Sequence, residues 1–108
     1  MIEISVYKNA DGKFTGFACS GHAGYAESGQ DIVCAAVSAL VINTMNSIEK
    51  FTSDTFEYQE DESKGQIDFR IVSGLSKESG LLLNSLFLGL QGIQEDYGRQ
   101  YIKITQRN

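Results

Sequence analysis

The run from Ile32 to about Lys50 is rich in Ala and apolar on most sides. A helix of that character does not sit on a surface by one stripe; it has to be covered on more than one face. The cover comes from stretches with a period of two. Residues 1–8 alternate, with Ile2, Ile4 and Val6 on one side and Glu3, Ser5 and Tyr7 on the other, which predicts a half-buried strand. Asp11-Gly12 is a hairpin turn signal, and Phe14 to Ser20 is expected to pair back. Thr55 to Glu60 and Gln66 to Ser73 read as a second hairpin over the turn DESKG, with Ile67, Phe69 and Ile71 opposed to Asp68 and Arg70. Ser76 to about Tyr97 reads as a second helix, and Tyr101 to Thr105 as a last strand with Ile102 and Ile104 inward. The order β-β-α-β-β-α-β predicts an α+β fold with two helices packed on a five-stranded mixed or antiparallel sheet. A chain of 108 residues is expected to form one domain, 1–108.

The second helical run carries Leu81, Leu82, Leu83, Leu86, Phe87, Leu88, Leu90 and Ile93, more than one buried stripe requires. Either the first helix covers the excess or a second copy of the chain does. The expectation is a homodimer, because large exposed apolar patches are rare on monomers.

Charge narrows the partners. The formal net charge is −5 and the nine Lys and Arg residues are scattered, so no basic footprint for nucleic acid is visible. An acidic chain suits a basic partner or simple solubility. The N-terminal residues lack a secretory pattern, and the apolar run Ile32 to Ile42 is short for a bilayer and broken by Ser38, so no membrane association is expected. Two cysteines without an export signal read as free thiols in a reducing, cytoplasmic setting. One histidine and no C-x-x-C spacing do not make a zinc site, and neither metal nor cofactor is expected.

The chemistry concentrates in SGHAGYAESGQDIVCAAVSAL, residues 20–40. Asp31 reads as a helix N-cap, which puts Cys34 at the third helical position, near main-chain N–H groups and the positive end of the dipole. Such a position favours thiolate; cysteines at helix starts or beside histidine have pKa values of roughly 3.5–7.5, against about 8.5 for the free side chain. His22, the only histidine, follows Gly21 at the end of the second strand. If strand end and helix start are adjacent, imidazole and sulfur form a nucleophile and acid–base pair. The plain alternative is a small buried Cys in an Ala-rich helix and a surface His. Asp31 is either a cap alone or also orients His22. Ser38, one turn after Cys34, either donates to the site or bonds back to the helix carbonyl of residue 34. Gly21, Gly24 and Gly29 give the intervening loop freedom but match neither a dinucleotide fingerprint nor a P-loop. Ala23, Tyr25 and Glu27 share that loop, and Cys19 reads as a buried strand residue.

The stretch Gly21-His22-Ala23, then Asp31-Ile32-Val33-Cys34-Ala35-Ala36 with Ser38 following, closely resembles the bacterial ribosomal-processing cysteine protease family, Prp. The resemblance extends over the whole chain. It implies an endopeptidase with Cys34 as nucleophile and His22 as base, acting on the precursor of large-subunit ribosomal protein twenty-seven. The cut removes a short N-terminal extension, after an apolar-aromatic segment typically ending in Phe-Ala. It also implies a substrate loop over residues 23–30 and a dimer. A narrow pocket for the small residue before the cut is expected, with Val33, Ala35 and Tyr25 as lining. Two other functions use the same residues. A thiol redox sensor needs Cys19 as the resolving cysteine. A non-catalytic peptide-binding ribosome-assembly factor needs no sulfur at all.

Overall fold

A computed structural model describes residues 1–21 and 30–107, with Gln30 and Asp31 as backbone alone. Within them run β1 (Ile2–Lys8), β2 (Phe14–Ser20), α1 (Gln30–Phe51), β3 (Thr55–Asp61), β4 (Gln66–Ser73), α2 (Lys77–Tyr97) and β5 (Ile102–Arg107), the expected order. The strands make one sheet in the order β3-β4-β2-β1-β5. The β1–β5 pair is parallel and the other three pairs are antiparallel, so the sheet is mixed.

Alternation assigns the two faces of this sheet. Ile2, Ile4 and Val6 of β1, Phe17 and Cys19 of β2, Ile67, Phe69 and Ile71 of β4 and Ile102 of β5 are buried together. Val33, Val37, Val41 and Ile48 of α1 and Leu83, Leu86, Phe87 and Leu90 of α2 complete that core. Both helices thus cover one face, and Phe56, Phe69 and Phe17 form a ring ladder beneath them with centroids 4.9 and 5.5 Å apart. The opposite face is polar: Tyr7 donates to Asp68 at 2.9 Å, and the Arg70 guanidinium lies 4.0 Å above the Tyr7 ring.

The first hairpin closes where expected, with the Asn9 side chain accepting from the N–H groups of Asp11 and Lys13. The second turn is held by Asp61, whose carboxylate accepts from Ser63 and from the Lys64 N–H. Ser76 caps α2 by accepting from the Ser79 N–H. One boundary differs from expectation. Helix α1 starts at Gln30, so Asp31 lies inside the first turn rather than capping it, and Cys34 is the fifth helical residue rather than the third. Acidic residues are favoured at the cap and in the first turn alike, so residue type does not separate the two positions.

By length and apolarity α1 qualifies as a membrane span over Ile32–Phe51. Its buried Val33, Val37, Val41 and Ile48 and its exposed Asn43, Asn46 and Glu49 are instead the two-sided pattern of a helix packed on a core.

Gly16 sits between Tyr7 of β1 and Arg70 of β4. A Cβ there would fall on the Phe69 carbonyl oxygen, so β2 and β4 approach only through a glycine. We expect Gly16→Ala to destabilise the fold by about 3 kcal/mol, read as a lower denaturation midpoint, because backbone rather than a side chain must yield. An unchanged midpoint would mean the sheet tolerates a local shift.

Candidate active site

Strand β2 ends at Ser20, and Gly21 turns the chain with φ of +84°. A Cβ on Gly21 would lie 2.7 Å from the Met1 carbonyl oxygen, so sterics and backbone angle both demand glycine. The tight turn sets the direction in which the chain leaves the sheet. His22, Ala23, Gly24, Tyr25, Glu27 and Gly29 lie outside the described residues, as does the side chain of Asp31.

The chain is described again at the start of α1, and Cys34 lies on the face of that helix turned to the core, 9% exposed. Below it is Cys19 of β2, 2% exposed and flanked in the sheet by Ile4 and Ile67. Burial, and secondarily the charge of Cys34, push the Cys19 thiol up to about 12. Cys34 and Cys19 belong to one buried cluster, and Cys19 lies two residues before Gly21. Ser38, half-buried one turn further along α1, lines a small cavity of about 60 Å³ with Cys19, Val37, Val41, Ile42, Glu60 and Ile67.

Two expected lining residues part company. Ala35 is exposed, but Val33 is fully buried and packs into the core, so it does not line a pocket. Conversely, Glu60 of β3 borders the cavity beside Ser38, a contribution that sequence reading missed. The available signal was weak: Phe56, Tyr58 and Glu60 alternate along a strand with the same parity as Ile67, Phe69 and Ile71 across the hairpin.

The geometry bears on the redox alternative. Neither cysteine forms a disulfide. A resolving thiol must ionise to attack, and burial pushes the Cys19 thiol up to about 12, far above neutral pH. We expect Ellman's reagent to modify one thiol in the native chain and none in a Cys34→Ala variant until the fold is denatured. Ready modification of Cys19 in the folded variant would contradict its burial. Among the described residues no group of three or more His, Cys, Asp or Glu side chains converges to hold a metal ion.

The chain as a whole has counterparts among known proteins. The family model for the cysteine protease Prp matches residues 1–103. The ribosomal processing cysteine protease Prp of Staphylococcus aureus is 35% identical over 97 residues, covering 90% of this chain and 92% of that protein. The protein of the same name from Bacillus subtilis is 30% identical over 109 residues, covering 97% and 96%. A crystal structure of the S. aureus protease in complex with a substrate peptide superposes with a TM-score of 0.91 at 32% identity, covering 99% of this chain and 100% of that one. A second, with a covalently linked product peptide, gives 0.87 at 33% identity with the same coverage. With the family model spanning nearly the full length and relatives matching end to end, the chain belongs to the Prp family of ribosomal-processing cysteine proteases and is a cysteine peptidase.

Proposed function

We propose that this chain removes the N-terminal extension from the precursor of large-subunit ribosomal protein twenty-seven, with Cys34 as nucleophile and His22 as acid and base. The observation that carries the assignment is that Cys34, near the start of α1, shares a buried cluster with Cys19, which lies at the end of β2, three residues before His22. The Cys34 thiolate attacks the scissile carbonyl, forming a C–S bond and an oxyanion. The start of α1 directs main-chain N–H groups and the positive end of its dipole at that charge. The His22 imidazolium donates its proton to the amine as the C–N bond breaks, leaving a thioester on Cys34. Neutral His22 then takes a proton from water, hydroxide displaces the thiol sulfur, and thiolate and imidazolium are restored. Asp31 and Ser38 are supporting groups in this reading. Gly21, Ala23, Gly24, Tyr25 and Gly29 belong to the substrate loop. The net charge of −5 suits a basic ribosomal substrate.

The test is to incubate the protein with the extended precursor and follow product mass. Loss of the extension, with an acid-quenched adduct on Cys34 equal to the acyl fragment, is expected; an unchanged precursor would overturn the reading.

We propose further that the protease works as a homodimer. Leu81 and Leu88, two turns apart on α2, are 69% and 72% exposed, so α1 does not cover the apolar excess of that helix. We expect Leu88→Glu to shift the species seen by light scattering from dimer to monomer without unfolding it. A dimer that survives this change would place the interface elsewhere.

A further inference from the structure

A second cleft adjoins the cavity beside Ser38. It measures about 370 Å³ and runs between α1 and the edge strand β3. One wall is Ile42, Met45, Asn46 and Glu49; the other is Phe56, Tyr58 and Glu60, over a floor of Ile67 and Phe69. Ile42, Glu60 and Ile67 border both spaces, so the two adjoin. Ile42 and Tyr58 are 46% and 45% exposed, large apolar groups left open on facing walls.

Helix geometry ties the cleft to the nucleophile. Cys34, Ser38, Ile42, Met45 and Glu49 fall at spacings of three and four, so they share one side of α1. At about 1.5 Å per residue, Ile42 to Asn46 lie roughly 12–18 Å along the helix from Cys34. An extended peptide rises about 3.3 Å per residue, so side chains roughly four or five residues from a bond held at Cys34 reach this cleft.

We infer that the α1–β3 cleft is a specificity subsite. It accepts a large apolar side chain of the peptide substrate about four or five residues from the scissile bond, with Glu49 and Glu60 at its rim for a neighbouring basic side chain. Two observations select this occupant: the position of the cleft beside the Ser38 cavity on the Cys34 side of α1, and the pairing of an apolar floor with two carboxylates. The inference rests on the cysteine-protease reading with Cys34 as nucleophile.

The experiment compares wild type, Ile42→Glu and Glu60→Lys on a peptide spanning the precursor's cleavage point. Cys34 alkylation by iodoacetamide and a thermal melt serve as readouts that do not need the cleft. We expect Ile42→Glu to raise KM about tenfold with kcat within about twofold. Glu60→Lys should raise KM several-fold in low salt, with the difference shrinking as salt is added. Wild-type KM in both variants, with cleavage intact, would overturn the subsite and leave the protease standing. Cleavage unaffected by loss of Cys34 would overturn both.

Discussion

Replacing Cys34 with Ala should lower kcat/KM for precursor cleavage by about 10⁴-fold or more, since the step that forms the thioester loses its nucleophile. The same change should cost the fold only about 1 kcal/mol. Cys34 is 9% exposed, the change removes only one heavy atom, and Ala is the best helix former. Chemistry and folding are therefore separable at this position. Product mass measured over hours gives the first quantity and a denaturant melt the second. A Cys34→Ala protein that trims the precursor at wild-type rate would leave only a peptide-binding factor.

His22→Ala is expected to lower kcat/KM by roughly 10²–10⁴-fold, the range that a positioned general acid and base supplies. A second readout separates a chemical role from a structural one. If the proposed dyad holds, losing the imidazolium disfavours the thiolate, so iodoacetamide alkylation of Cys34 should slow at neutral pH and recover as pH rises. A variant whose cleavage falls while its alkylation profile stays in place would assign His22 to substrate handling rather than to the sulfur.

Much of the fold was legible because period-two alternation is a local signal. Ile2, Ile4 and Val6, and Ile67, Phe69 and Ile71, declare their buried face without knowledge of their neighbours. The start of α1 and the facing of Val33 were not legible. Acidic residues suit several first-turn positions, and an Ala-rich helix has too little contrast to say which side turns inward. At the site, the motif residues stood out by type and spacing. The walls of the adjoining cleft did not, since Ile42, Tyr58 and Glu60 read singly as ordinary helix and strand positions. Only the packing of α1 beside β3 makes them neighbours. The parallel pairing of β1 with β5 was likewise hidden, because nothing local marks a strand as the partner of one at the other end of the chain.

That last pairing has a consequence for how the enzyme is made. β1 lies between β2 and β5, opposite Ile102 at one end and Arg107 at the other. During synthesis the β1–β2 and β3–β4 hairpins can close as they emerge, but β1 keeps one edge open until β5 has left the ribosome. An open edge beside Ile2, Ile4 and Val6 is an invitation to pair with another nascent chain. The late arrival of β5 makes folding a race between its docking and association of unfinished chains. Shortening the chain at that strand would therefore be expected to yield insoluble protein rather than a weaker protease.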